Sequence, residues 1–267
     1  ISGGEGTVGS GTTGGSPPEF HIVGIGASAG GLEALDAFFD HVPEHPGVAF
    51  VVVQHLSPDY KSLMAELLGK RTSLPVVQAE NGQRVLPDRV YLIPPKKHLT
   101  IFQGQLILTE KDDRRLGVSF PIDIFLLSLA QDVGDRAIAV ILSGTGSDGM
   151  RGVRAVKEAG GAVVAQQEDT ARFDGMPRSA IATGLVDLIL PPEDMPEQIL
   201  SYARHPELQE IGLTADPSRQ LDGLARILSL LRDSFSIDFS HYRSSTVHRR
   251  IERRLRINRL QTLDEYC

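Results

Sequence analysis

Three residues of this sequence have side chains that together could catalyse acyl transfer: a serine, a histidine and an aspartate. Ser28, His55 and Asp148 each come shortly after an apolar run of the chain. Ser28 lies in a glycine-rich loop, residues 24–31, whose small residues allow the sharp turn that presents a nucleophile. Because a serine nucleophile needs a base and an orienting carboxylate within reach, these residue types favour a serine hydrolase.

Apolar runs alternate with segments of helical periodicity between residues 20 and 204, which predicts an α/β fold. The predicted strands are 21–25, 48–54, 89–93, 137–143, 162–166 and 186–190, the predicted helices are 30–40, 59–70, 121–132, 149–159, 177–183 and 195–204, and a hairpin is predicted at 98–109. Such alternation is typical of a doubly wound, mostly parallel sheet with helices on both faces. Since active sites form at the carboxyl ends of parallel strands, Ser28, His55 and Asp148 are expected at one sheet edge.

Each of the three residues also has a purely structural interpretation. Ser28 and Asp148 are residue types that cap helix N-termini, and each precedes a predicted helix. His55 could equally be a packed histidine. Three such residues at one sheet edge favour catalysis, because independent caps need not form a complementary set. His98 is the best rival base, but it begins the predicted hairpin.

The glycine-rich loop also has to be compared with phosphate-binding loops. Gly24, Gly26 and Gly30 are spaced one residue wider than the dinucleotide fingerprint, and Gln54-His55 replaces the acidic residue expected after the second strand. A Walker loop fails as well, because no Lys-Ser or Lys-Thr pair follows the glycines. The sequence has no cysteine pair and no HExxH motif, so neither a metal nor a cofactor is expected.

The composition is that of an ordinary globular protein, with 41% hydrophobic and 23% charged residues among 267. No apolar run reaches the roughly 20 residues of a membrane span, and no signal peptide is present, so membrane insertion is not expected. Cys267 is the only cysteine, which excludes an intrachain disulfide and favours a cytoplasmic location. The net charge of -7 gives no general reason to expect a nucleic-acid partner.

The two ends of the chain differ in composition from its middle. Residues 1–19 are mostly Gly, Ser, Thr and Pro and are predicted to be a flexible lead. Residues 205–234 have apolar side chains at helical spacing and are predicted to form a linker helix. Residues 235–267 are predicted to be helical, and seven arginines lie between Arg243 and Arg259. The abrupt start and end of the chain suggest a fragment of a longer protein.

Four motifs resemble, in order and approximate spacing, the catalytic domain of CheB-type protein-glutamate methylesterases. They are GASAGG at 26–31, QHLSP at 54–58, SGTGSDGM at 143–150 and FDGMPR at 173–178. The resemblance covers about residues 20–204 and implies a sheet of about seven strands, with Ser28 as nucleophile, His55 as base and Asp148 as its partner. Members of that family hydrolyse glutamate methyl esters on chemoreceptors, and many also deamidate receptor glutamines. The same reaction, through an acyl-enzyme, is the implied function.

The resemblance also implies contacts around the ester. Backbone amides of Ala29, Thr145 and Gly146 would bind the oxyanion, and Met176 and Arg178 would contact the substrate. Ala29 stands where the family often has Thr, and Thr145 where it often has Met. The oxyanion donors are therefore expected to be main-chain groups.

A second resemblance lies in the arginine-rich tail. Residues 239–254 are similar to the N-terminal helical domain of CheR-type receptor methyltransferases, which implies a fusion of the two activities and a substrate contact by Arg249 and Arg250. S-adenosylmethionine would be a ligand only of a further methyltransferase domain downstream. A solvated helix face is the structural alternative for the arginine run, and nucleic-acid binding ranks lower. The expected partners are methylated chemoreceptor helices.

Two functions without catalysis stay open at this point. One is a receptor-binding scaffold whose hydrolase has decayed, which would bind receptor helices without releasing methanol. The other is a phosphate- or nucleotide-binding module, in which Ser28 would not react with a serine-directed probe.

Overall fold

The computed structural model of the protein describes residues 18–54, 61–110 and 120–204. The strands are β1 (Ile22–Ala27), β2 (Ala49–Gln54), β3 (Val76–Gln78), β4 (Gln83–Arg84), β5 (Arg89–Leu92), β6 (Lys97–Phe102), β7 (Gln105–Glu110), β8 (Ala137–Ile141), β9 (Ala162–Gln166) and β10 (Leu188–Leu190). The α-helices are α1 (Gly31–Phe39), α2 (Lys61–Gly69), α3 (Pro121–Val133), α4 (Met150–Glu158), α5 (Gly175–Ile181) and α6 (Met195–Arg204).

Seven of these strands form one sheet in the order β10-β9-β8-β1-β2-β5-β3, and every pairing within it is parallel. The chain builds outward from β1 through β2 and then returns to β8 on the other side of β1. The strand order therefore reverses between β1 and β8, where parallel sheets form binding crevices. The predicted parallel sheet of about seven strands is confirmed, and its edge strand β3 is the member that the sequence pattern did not indicate.

Apolar side chains of the central strands alternate between two buried clusters. Phe50 and Val52 of β2 belong to the cluster that contains residues of α1, α2 and α6, whereas Val51 and Val53 belong to the cluster that contains residues of α3, α4 and α5. Because successive residues of a strand point to opposite faces, a continuous apolar strand requires cover on both sides. The prediction of helices on both faces is confirmed for the part of the chain that the structure describes.

Glycines in β1 let α3 lie directly on the strand. A Cβ added to Gly26 would lie 2.5 Å from Ile122 Cγ2, and one added to Gly24 would lie 2.7 Å from Leu126 Cδ2. Ile122 is near the start of α3 and opposes the later glycine, so the helix runs against the strand direction. The N-terminus of α3 is thereby placed at the carboxyl edge of the sheet.

The predicted hairpin is also confirmed and carries a third strand. β6 and β7 pair antiparallel, and β4 pairs with the other edge of β7. Gln103 and Gly104 form the turn with φ values of 49° and 71°, as in the tight turns that join two strands. Ser128 and Asp132 of α3 accept hydrogen bonds from the hairpin main chain, which fixes this small sheet to α3. The predicted lead, up to residue 17, and the predicted C-terminal helical segment lie outside the described residues.

Candidate active site

The candidate residues Ser28 and Asp148 lie on two loops that leave neighbouring strands at the carboxyl edge of the sheet. Ser28 directly follows β1, and Asp148 is on the loop between β8 and α4. The loops are joined, because Ser28 N–H donates to the Ser143 carbonyl oxygen at 2.9 Å. Both residues therefore lie at the point where the strand order reverses.

Ser28 does not act as a helix cap in this structure. The N-cap position of α1 is Gly30, which has φ +68° and no side-chain cap. The Ser28 carbonyl accepts from Gly31 N–H at 2.9 Å, so the main chain turns tightly at this point. The Ser28 side chain is half-buried. The capping interpretation is therefore wrong for Ser28, and its hydroxyl is not used in starting α1.

His55 follows β2 directly but lies outside the described residues. The structure does show where β2 ends: its last residue, Gln54, is the register partner of Ala27, the last residue of β1. The two strands thus end side by side. The role of His55 as base stays a prediction. The rival base His98 lies in β6, opposite Thr109 of the hairpin.

Asp148 binds the N-terminus of a helix distant in sequence. Its Oδ2 accepts from Ile122 N–H at 3.0 Å and its Oδ1 accepts from Asp123 N–H at 2.9 Å. These amides belong to the first turn of α3, whose N–H groups have no partner within the helix. The N-cap of α4 is Gly149, without a side-chain cap. Asp148 therefore is a capping residue, but of α3 rather than of the helix that follows it.

Burial dominates the electrostatics of this carboxylate. Asp148 is 5% exposed, and this burial raises its pKa to about 6, although the amides of Asp123 and Ile122 favour the charged form. The carboxylate of Asp123 raises it further. At neutral pH Asp148 is therefore an ion held by helix amides, and that ion would be stabilised further by a cationic imidazole.

Asp123 makes the reciprocal interaction. It lies in the first turn of α3, is buried, and its Oδ1 accepts from Gly152 N–H of α4 at 2.8 Å. Burial raises the pKa of Asp123 as well. Asp148, just before α4, thus accepts hydrogen bonds from the first turn of α3. Asp123, in the first turn of α3, accepts one from α4. This exchange fixes α3 and α4 against each other and with them the position of Asp148.

The predicted oxyanion donors Ala29, Thr145 and Gly146 are main-chain groups of the two joined loops. Thr145 and Gly146 are exposed and Ala29 is half-buried. Among the residues that the structure describes, none of their three amides has a hydrogen-bond acceptor. They are chemically suited to an oxyanion, and this role stays a prediction.

Met176 lies beside Ser28, with Gly144 between them. A Cβ added to Gly144 would lie 2.9 Å from Ser28 Cβ and would overlap Met176 Sδ. Met176 is buried at the start of α5, and its N–H donates to the Gly144 carbonyl at 2.8 Å. Met176 is therefore next to the candidate nucleophile, and its contact with a substrate stays a prediction.

The predicted substrate contact Arg178 has two carboxylate partners within the protein. Its guanidinium bonds to Glu168 at 3.0 Å and to Asp174, and the side chain is 63% exposed. A carboxylate of a substrate would have to share or replace these partners. Arg249 and Arg250 lie outside the described residues.

Two buried polar residues of this edge were not predicted from the sequence. Ser143 N–H donates to Gln166 Oε1 at 2.8 Å, and Gln166 Nε2 donates to the Thr170 carbonyl at 3.0 Å. Gln166 ends the apolar strand β9, and a polar residue at that position is the signal that could have identified it. In the sequence, Ser143 stands out only as the first residue of the motif at 143–150.

Within residues 18–54, 61–110 and 120–204, no group of three or more His, Cys, Asp or Glu side chains could hold a metal ion. In the same ranges no helix has the length and apolar character to cross a membrane.

Comparisons with known proteins identify two families. The family model "CheB methylesterase" matches residues 23–199, and the model "CheR methyltransferase, all-alpha domain" matches residues 222–267. The second match begins within the predicted linker helix.

Individual relatives agree with these matches. The chain is 43% identical over 224 residues to an uncharacterized 104.1 kDa protein of Rhodobacter capsulatus, which covers 76% of this chain and 23% of that protein. It is 38% identical over 184 residues to a protein-glutamate methylesterase/protein-glutamine glutaminase of Rhizobium meliloti, which covers 68% of this chain and 52% of that protein. The chain thus spans about a quarter and about half of these relatives' lengths.

A solved structure gives the same result. The CheB methylesterase catalytic domain of Thermotoga maritima superposes with a TM-score of 0.64 at 34% identity, covering 68% of this chain and 98% of that domain. Both predicted resemblances are confirmed: the chain belongs to the CheB methylesterase family, and its C-terminal part matches the all-alpha domain of CheR methyltransferases.

Proposed function

We propose that this chain is a carboxylic ester hydrolase that removes methyl groups from glutamate side chains of chemoreceptors. The observation that supports this most directly is the hydrogen-bonded pair of loops that carries Ser28 and the buried anion Asp148 at one sheet edge. Relatives with 34–38% identity are named protein-glutamate methylesterase/protein-glutamine glutaminase. Hydrolysis of a glutamate methyl ester is the simplest reaction for the residues at this carboxyl edge of the sheet.

The reaction has two steps. Ser28 Oγ attacks the ester carbonyl while His55 takes its proton, and the tetrahedral oxyanion is stabilised by the main-chain amides of Ala29, Thr145 and Gly146. The C–O bond to the methoxy group then breaks, and His55 returns the proton to the departing methanol. Water hydrolyses the acyl-enzyme in the same way and releases the glutamate carboxylate.

Asp148 orients the imidazole in this scheme and stabilises its protonated form. Its pKa of about 6 leaves it charged at neutral pH, as this role requires. A glutamine side chain would give the same acyl-enzyme with ammonia as the leaving group, so we propose deamidation as a secondary activity.

The remaining parts of the proposal concern the whole chain. We propose a catalytic domain at 20–204 after a flexible lead at 1–19, a linker helix at 205–234 and part of a CheR-like helical domain at 235–267. In this arrangement Arg249 and Arg250 contact the same cytoplasmic receptor helices. S-adenosylmethionine would be bound only by a further methyltransferase domain.

Methanol release from a methylated receptor cytoplasmic fragment tests the proposal. Ser28→Ala should reduce the rate on the order of 10³-fold or more, because the nucleophile is lost, while the melting temperature stays unchanged. Ser147→Ala is the matched control, since Ser147 is an exposed serine at the same sheet edge, and it should keep the wild-type rate. Methanol release by Ser28→Ala at the wild-type rate would refute the mechanism. Receptor binding by a wild type that releases no methanol would instead identify a scaffold.

A further inference from the structure

Ser143 lies beneath the nucleophile loop and joins it to two other segments. The residue is fully buried, and its Oγ donates to the Ala29 carbonyl at 2.9 Å and accepts from Phe173 N–H at 3.0 Å. The Ser143 carbonyl accepts from Ser28 N–H at 2.9 Å. Ser143 therefore binds the peptide group that joins Ala27 to Ser28 and the peptide group that joins Ala29 to Gly30.

The bond from Ser143 Oγ determines the direction of the Gly30 amide, and the bond between Gly31 and the Ser28 carbonyl determines that of the Ala29 amide. The described peptide bonds are all trans, so the C=O and N–H of one peptide group point in opposite directions. Because the Ala29 carbonyl points to Ser143 Oγ, the N–H of Gly30 points away from it. The Ser28 carbonyl accepts from Gly31, so the N–H of Ala29 points away from Gly31. Within the described part of the chain, neither the Ala29 nor the Gly30 amide has an acceptor.

Ser143 is itself fixed in place. Its N–H donates to Gln166 Oε1, and the buried Gln166 amide is anchored to the Thr170 carbonyl. A Cβ added to Gly30 would lie 2.8 Å from Ser143 Oγ, so the hydroxyl and the loop are in close contact. The Ser143 hydroxyl therefore cannot shift far from its present position relative to residues 28–30.

We propose that Ser143 is a positioning residue: it holds the peptide groups on both sides of the one that joins Ser28 to Ala29, so that the Ala29 and Gly30 amides stabilise the oxyanion formed on attack by Ser28. This inference rests on the proposed serine-hydrolase function, and it adds the Gly30 amide to the predicted donors. Loss of the Ser143 hydroxyl would release the Ala29 carbonyl and leave Phe173 N–H without its acceptor. The donors would then be less well aligned in the transition state.

The experiment compares Ser143→Ala with Ser128→Ala in the full chain. Ser128 is the matched control, because its Oγ likewise accepts from a main-chain amide, Ile101 N–H, and donates to a carbonyl, that of Phe125, but at the hairpin. Two readouts are measured: methanol release from methylated receptor fragment, and the rate at which a fluorophosphonate probe labels Ser28. Melting temperatures of both variants report folding.

We expect Ser143→Ala to lower kcat and the labelling rate by about 10- to 100-fold at unchanged KM, because the lost alignment acts in the transition state. Ser128→Ala should keep both rates while lowering the melting temperature by a similar amount. Wild-type rates in Ser143→Ala, or equal losses in both variants, would overturn the inference. A wild type whose Ser28 is not labelled would refute the serine-hydrolase proposal, and this inference with it.

Discussion

Ionisation of Asp148 should make the protein less stable as the pH rises. Burial raises the pKa of this carboxyl in the folded protein to about 6, against an ordinary value of 3.8. The folded state therefore binds this proton more tightly than the unfolded state, so the contribution of Asp148 to stability is fully present below pH 3.8 and is lost as the pH rises through 6. The difference between the two pKa values corresponds to about 3 kcal/mol.

Asp148→Asn isolates this effect. Asparagine has a similar shape but no charge at any pH, and it can accept only one of the two amide hydrogen bonds from Ile122 and Asp123. At pH 4 the wild-type carboxyl is itself mostly protonated, so the two side chains should then differ little in the hydrogen bonds they accept. The stability of the variant relative to wild type should therefore rise by roughly 2–3 kcal/mol between pH 4 and pH 8.

Urea unfolding of both proteins across this pH range measures the change. Asp194→Asn is the control, because Asp194 is exposed in the turn before α6 and a lone surface charge contributes little. Its difference from wild type should stay nearly constant. If Asp148→Asn is destabilised equally at pH 4 and pH 8, the inferred cost of the buried charge is wrong. Methanol release by this variant should fall on the order of 10⁴-fold, since the imidazole would lose its orienting anion.

Two glycine substitutions test the packing that positions the site. Gly144→Ala would place a methyl group against Ser28 Cβ and Met176 Sδ. It should lower kcat for methanol release at least about tenfold. An unchanged kcat would show that the Met176 side chain can move aside. Gly152→Ala would overlap Leu126, separate α3 from α4 and destabilise the fold by about 1–3 kcal/mol, measured by urea unfolding. An equally stable Gly152→Ala would mean that the two helices are not in fixed contact.

The sequence pattern was sufficient for the elements with a strong local signal. The apolar strands β1, β2, β8 and β9 and the helices behind them were predicted because each has a continuous apolar run or a clear helical period. The strands β3 and β4 were missed, since β3 has only two apolar residues, after Pro75, and β4 has none. Their pairing depends on β5 and β7, which lie elsewhere in the chain.

The candidate site, too, was predictable only where it depends on a local sequence pattern. Ser28 and Asp148 could be placed at one sheet edge because each follows a recognisable strand. The groups that bind the Asp148 carboxylate could not be predicted, because they are the amides of Asp123 and Ile122, which lie 25 and 26 residues earlier in the sequence. A local rule assigns an aspartate to the helix that follows it, whereas tertiary packing here brings another helix terminus closer.

The reciprocal carboxylates suit the catalytic role that we propose for Asp148. The amides of Ile122 and Asp123 hold the anion by hydrogen bonds, and the nearby Asp123 carboxylate raises its pKa further. An anion held in this way is stabilised most by a new positive charge. Protonation of His55 during attack by Ser28 would supply that charge when the transition state forms.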